Sequence, residues 1–316
     1  MTSLAVGDGR TSERHMALSG IGLVLMAFAL FSTMDTMAKW LTGGYPLAQI
    51  VLTNALFSQT TMLLILPLFG GRRALRTRRP GLHLLRGAIT VCGAFGVFFA
   101  FNRMPMADVY AIIFAAPFMI TALSVPMLGE SVGWRRWAAI VAGFIGVLVM
   151  LRPGGGIIDF GALGALAAAL GHAVSMLIVR RMGGEDPGVT FAFYSNISAL
   201  SISGTVLLAS GGFVPPAPSD LLLFAGCGIT GGLGLVCITT GFSRAPAAVL
   251  APFQYSQMLW GVTYGYLVFG DRPDAWLAVG GGIVIGSGFY LLHREARAKR
   301  DEVASAAAAL VASESG

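Results

Sequence analysis

The sequence predicts an all-α integral membrane fold of ten transmembrane helices forming two inverted five-helix repeats. Three observations carry that prediction: scarce charge, ten apolar runs of crossing length, and a self-match at an offset of 141 positions. Of 316 residues, 21 are Lys or Arg and 15 Asp or Glu, so 11% carry fixed charge while 55% are hydrophobic and mean hydropathy is +0.76. Globular chains are about one quarter charged, and a soluble fold this apolar would turn large contiguous apolar patches to water. Disorder is excluded for the same reason. Cys92, Cys227 and Cys237 sit inside apolar runs without redox or metal-ligand spacing, so they read as small packing residues and not as a disulfide scaffold. The net charge of +6 belongs with the Lys and Arg excess of cytoplasmic loops, so nucleic acid is not an expected partner.

An apolar layer about 30 Å thick takes roughly 20 helical residues to cross. Runs of that kind, bounded by charges and turn formers, cover 16–40, 46–69, 82–101, 105–128, 134–151, 161–179, 189–209, 220–242, 246–269 and 275–293. They are continuously apolar instead of alternating, which selects helices over a β-barrel as the way to satisfy backbone polar groups in lipid. The first run follows Arg10 and Arg14, as a signal peptide would, but it is too long for a signal core and has no convincing cleavage site. Pro46, Pro105 and Pro246 open the second, fourth and ninth runs, the third follows the arginines between 72 and 79, and the sixth runs into Arg180 and Arg181. If successive runs alternate direction from a cytoplasmic N-terminus, sixteen basic residues fall on the inner side and only Lys39, Arg103, Arg152 and Arg272 opposite; Arg86 lies within the third run near its inner end. Both termini are therefore expected in the cytoplasm of a bacterial cell, on a multi-pass inner-membrane protein. Residues 1–15 and the tail 294–316 read as mobile or surface segments.

The offset of 141 brings Phe101, Arg103 and Pro105 onto Phe242, Arg244 and Pro246, Pro46 onto Pro187, Gly93 onto Gly234, Lys39 onto Arg180 and Glu130 onto Asp271. Each half, 16–152 and 153–293, then holds five runs. An odd number sends the second copy into the membrane from the opposite side, the arrangement that lets two halves exchange conformations about a shared site.

The run "MPMADVYAIIFAAPF" from Met104, its closing loop acid Glu130 in "MLGES", and "APFQYSQMLWGVTYGYLVFGDRP" from Ala251 resemble the EamA-type members of the drug/metabolite transporter superfamily. The resemblance spans roughly residues 16–293 and implies a carrier built of two five-helix repeats. Where the family commonly has a second loop Glu, this chain has Asp271. The resemblance also implies a central cavity formed by the first, third, fourth, sixth, eighth and ninth helices, which would bring Asp35, Arg86, Tyr110, Phe114, His172, Gln254 and Tyr255 within reach of a solute.

Two strings imitate catalytic motifs. Gly226, Gly228 and Gly231 fit the dinucleotide fingerprint, but no acid follows some 20 residues on and the context is a membrane run. Glycines four apart (Gly228 and Gly232, Gly282 and Gly286) instead predict close helix approach. "GESVG" fits a nucleophile elbow around Ser131, without a preceding strand. No P-loop or clustered metal ligands occur, so neither cofactor nor metal is expected.

A polar side chain at membrane depth costs a few kcal/mol unless it faces protein, water or a partner. Asp35 reads either as an ion pair with Lys39 one turn later or as a solute or proton site. His172, with Ser175 and Met176 beside it, reads either as a hydrogen-bonded helix contact or as a residue of the central axis, since the offset sets it opposite Phe31. Arg86 either snorkels to the inner surface or anchors a carboxylate. In the ninth run Gln254, Tyr255, Gln257 and Trp260 follow Pro252 near the bilayer midplane, and in the fourth Tyr110 and Phe114 precede Pro117. Prolines free backbone carbonyls, and rings beside amides suit a flat organic solute. Glu130 and Asp271 are either solvated turn charges or groups that pair with basic residues in one access state.

The expected function is secondary or facilitated transport of a small organic metabolite, an amino acid or related compound, by alternating access. The alternative is uptake of a nucleoside-like or vitamin-like solute. A membrane enzyme or receptor subunit would need a catalytic cluster at an interface, and none is visible. The expected partners are the solute, the bilayer and candidate coupling protons, and the chain is expected as a monomer or homodimer.

Overall fold

The computed structural model describes residues 4–130, 132–151, 160–182, 186–244 and 247–314. Ser131, Arg152 and Pro246, each used in the sequence argument, lie outside them. All regular structure among the described residues is helical: α1 (Leu4–Leu41), α2 (Leu47–Ile65), α3 (Pro80–Phe101), α4 (Met106–Ile113), α5 (Ala116–Leu128), α6 (Trp134–Leu151), α7 (Phe160–Arg181), α8 (Gly188–Ser210), α9 (Pro218–Arg244), α10 (Ala247–Leu250), α11 (Ser256–Phe269) and α12 (Ala275–Glu314). Seven stretches among the described residues are long and apolar enough to cross a membrane: Leu18–Leu41, Leu47–Phe69, Pro80–Phe101, Met106–Leu128, Phe160–Arg181, Gly188–Ser210 and Pro218–Phe242. Ala275–Leu291 is a shorter apolar helix. Residues 4–15 and 294–314, expected as mobile or surface segments, continue α1 and α12 as helix.

Prolines set the irregularities. Pro117 has no N–H to give to the carbonyl of Ile113, so the fourth run breaks between α4 and α5, with Ala115 N–H bonding Ile112 three residues back at 2.9 Å. Pro252 tightens residues 251–255 into a 3-10 turn between α10 and α11. Gly129 and Gly270, at φ +71° and +72°, end α5 and α11 in the left-handed region where a side chain would be strained.

The packing repeats. Helix α1 lies along α9 as α7 lies along α3; α2 meets α9 as α8 meets α3; α1 meets α11 as α7 meets α5; and α2 pairs with α8 and α6 with α12. Shifting every helix to its counterpart 141 residues away leaves this set of pairs unchanged. Small residues make the approaches possible, since lipid offers no hydrophobic drive between helices. A Cβ on Gly96 would sit 2.5 Å from the Gly164 carbonyl oxygen, and one on Gly164 2.7 Å from that of Gly96, so α3 and α7 touch backbone to backbone. The expected approach at Gly228 and Gly232 is present, against Phe57 and Thr61 of α2. That at Gly282 and Gly286 is absent: both face open space, and α12 instead meets α6 through Gly280 and Gly146, two residues round the helix.

Candidate functional site

A cavity of about 380 Å³ lies between α1, α2, α3, α4, α7, α8 and α11, within the size range of metabolite pockets. Four of the side chains expected at the site line it, namely Asp35, Arg86, Tyr110 and His172, and Gln257 faces it from the ninth run. The eighth run contributes no lining residue because α9 turns its glycines to α1 and α2, with Gly226 and Gly231 against Met37 and Met34, and Gly234 against the ring of Phe31. Its place is taken by the second and seventh runs, through Asn54, Ser195 and Asn196.

Asp35 is buried, with 6% of its surface exposed, and it does not pair with Lys39 as the one-turn spacing suggested. Tyr110, itself 1% exposed, donates its hydroxyl to the Asp35 carboxylate at 2.7 Å, and Gln257 lines the same cavity. Tyr110 owes its place to α4, the short helix upstream of the Pro117 break, and its ring fills the notch left by Gly261 on α11. Arg86 does not snorkel. Its guanidinium stays in the bundle, donating to the Ser195 hydroxyl at 2.9 Å and the Phe191 carbonyl at 3.3 Å and lying 5.1 Å above the Phe191 ring. Its Nε is buried without a hydrogen-bond partner.

The other expected residues stand outside the cavity lining. Phe114 and Tyr255 pack edge-on at 5.1 Å, with Tyr255 also against Phe289 of α12. Trp260 stacks on Tyr264 of its own helix, Met176 is partly exposed, and Gln254 lies in the 3-10 turn that Pro252 opens.

Both loop acids are paired. Lys39 reaches Asp271 at 3.0 Å, bonds the Met104 carbonyl at 3.0 Å and lies 4.6 Å over the Phe269 ring. Arg180 pairs with Glu130. Under the offset of 141, Lys39 corresponds to Arg180 and Asp271 to Glu130, so these are one interaction made twice, each time between the two halves. They sit at opposite ends of the segment Met106–Leu128, since Met104 precedes it and Glu130 follows it. One further cluster had no sequence signal singled out: Asp186 accepts from Thr77 at 2.9 Å and lies 2.8 Å from the fully buried His83. Desolvation pushes the Asp186 carboxyl up, but the hydrogen bonds of His83 and Thr77 and the charges of His83 and Arg79 outweigh it and hold the group below its ordinary 3.8.

Comparison with known proteins agrees with this architecture. The chain is 27% identical over 281 residues to an S-adenosylmethionine uptake transporter of Rickettsia felis, covering 89% of this chain and 95% of that protein. It is 29% identical over 303 residues to a riboflavin transporter of Rhizobium johnstonii, covering 95% and 97%. With a pseudopaline exporter of Pseudomonas aeruginosa it shares 24% over 269 residues, covering 84% and 93%. A solved crystal structure superposes with a TM-score of 0.61 over 85% of this chain and 95% of its own, at 19% identity, a likeness of fold alone. Two successive matches, over residues 18–152 and 159–292, account for most of the sequence, and the chain belongs to the EamA-like transporter family.

Proposed function

We propose that the protein carries a small organic metabolite across the bacterial inner membrane by alternating access around the central cavity. The single observation that carries this reading is the pair of matching ion pairs, Lys39–Asp271 and Arg180–Glu130, one at each end of the segment Met106–Leu128 that walls a cavity shared by the two halves. Opening one end requires breaking one pair while the other holds, a two-state element that a bound solute biases. Ten crossings with both termini cytoplasmic and the halves inverted is the topology this requires; the symmetric packing and the asymmetry of basic residues support it. Asp35, Arg86, Tyr110 and His172 are the solute-contacting residues in this reading, with Phe114, Tyr255 and Pro117 shaping the wall behind them and Pro252 and Gln254 the turn below.

A nucleoside-like or vitamin-like solute is favoured over a simple amino acid, because the relatives named for S-adenosylmethionine and riboflavin transport align over nearly the whole chain and the cavity exceeds what a single amino acid fills. The test is counterflow in liposomes: purified protein preloaded with unlabelled S-adenosylmethionine, riboflavin or amino acids should accumulate one labelled counterpart above empty liposomes. Absence of flux for every member of a broad metabolite set, with hydrolytic or transferase turnover in its place, would overturn the carrier reading.

A further inference from the structure

We propose that the cavity is bipolar, with Arg86 holding a carboxylate of the solute and Asp35 holding a cationic or hydrogen-bond-donating group at its far end, so that the solute is an elongated carboxylate. This rests on the carrier reading and names the class of its cargo.

The first support is what the repeat does without charge. Arg86 and Ser195, bonded across α3 and α8, correspond under the offset of 141 to Cys227 and Asn54, which lie 3.2 Å apart across α9 and α2. Asp35 and Tyr110 correspond to Met176 and Ala251. The second copy of the α3–α8 interface is thus built with uncharged residues, and the positions that match Asp35 and Tyr110 carry uncharged residues as well. The scaffold does not require the two charges; placing them at membrane depth costs a few kcal/mol each, and both face the cavity.

The second support is their unfinished bonding. Arg86 pairs with no carboxylate among the described residues, and its donors reach only a hydroxyl and a carbonyl while Nε has no partner. A guanidinium in that state lacks the planar anion its fork fits best. Asp35 meets no cation among the described residues; its carboxylate accepts from the Tyr110 hydroxyl. Asp35 and Arg86 share the cavity yet are not bonded to each other.

The third support is separation. Helices α1 and α3 end at one face, where Lys39 bonds Met104. Asp35 lies six residues before the end of α1 and Arg86 fifteen before the end of α3, which at about 1.5 Å per residue sets them roughly 13 Å apart along the helix axes. A free α-amino acid, whose two charges are one carbon apart, cannot engage both. Between the poles the wall is apolar and aromatic, with Val91, Val97, Phe98 and Ile113 beside Tyr110.

The test uses the full-length protein in detergent and chain-length series of linear probes: ω-aminocarboxylates from glycine to 11-aminoundecanoate, with matched fatty acids and alkylamines, each scored by its shift of the melting temperature. Stabilisation should peak at an intermediate or long aminocarboxylate and exceed that of the acid or amine alone. Arg86→Gln should weaken binding of the aminocarboxylate and the acid at least tenfold and leave the amine unaffected, Asp35→Asn should do the reverse, and Arg86→Lys should restore part of the acid response. Apo melting temperatures near wild type for Arg86→Lys separate recognition from folding. A flat series, or a preference for glycine, or equal loss of all probes in both variants, would overturn the bipolar site. Counterflow of some solute that is indifferent to Arg86→Gln would overturn it while leaving transport standing.

Discussion

Breaking Lys39–Asp271 should open the cavity to the face where those residues lie. Lys39 gives one charge-assisted bond at 3.0 Å, a second bond to the Met104 carbonyl and a cation–π contact, with side-chain exposures of only 12% and 26% for the two partners. A hydrogen bond between charged groups contributes about 1.5–3 kcal/mol, so loss of the pair shifts the balance between closed and open states by about 2 kcal/mol, roughly thirtyfold. Lys39→Gln or Asp271→Asn, in a background with Cys92, Cys227 and Cys237 replaced by Ala, should therefore raise the labelling rate of an Ile113→Cys reporter by a membrane-impermeant maleimide up to about thirtyfold from that face. The exchange Lys39→Asp with Asp271→Lys should return it most of the way, because the pair is remade with its charges swapped, though the Phe269 contact is lost. Labelling unchanged in the single variants would refute the reasoning, as would an exchange variant as open as the singles.

Three further outcomes follow from other parts of the molecule. Asp35→Asn should impair counterflow exchange and gradient-driven accumulation in liposomes together, because the carboxylate holds the solute, and loss of accumulation with counterflow retained would assign Asp35 to proton coupling instead. Gly96→Val should lower the melting temperature strongly, by the equivalent of about 2–4 kcal/mol, because its side chain meets the Gly164 backbone 2.5 Å from where the Cβ falls; an unchanged melt would mean α3 and α7 do not touch there. Asp186 has a depressed folded-state pKa, so its stabilisation is complete above the ordinary 3.8 and fades as pH falls below that value; Asp186→Asn should remove that part of the acid dependence in melts between about pH 5 and 3.

Much of the fold was legible because the signals are local. Pro46 and Pro105 stand at the starts of their helices where the sequence suggested, and Pro117 breaks one. Asp35, Arg86, Tyr110 and His172 could be picked by cost alone, since ionisable or aromatic-polar groups at membrane depth need a reason. The same criterion reaches Asn54 and Asn196, mid-run amides that were not singled out. Thr90 and Ser195 were hidden for a different reason: hydroxyls in apolar helices commonly satisfy themselves, as Thr90 does with the Arg86 carbonyl at 2.9 Å, so their type does not reveal what they face. Lys39 shows the limit of the one-turn rule, for its long stem reaches 232 positions along the chain to Asp271 and not four back to Asp35. Helix faces were illegible where apolar residues surround the axis: nothing local distinguishes Gly280 from Gly282.

The most direct measurement is the sidedness of one cavity residue. Asn196→Cys, in the same cysteine-free background and reconstituted with known orientation, should react with impermeant thiol reagent supplied to either face in turn, and a transported solute at saturating concentration should protect it from both. Reaction from one face alone, under every solute and gradient tried, would contradict a single pocket served by two exchanging halves.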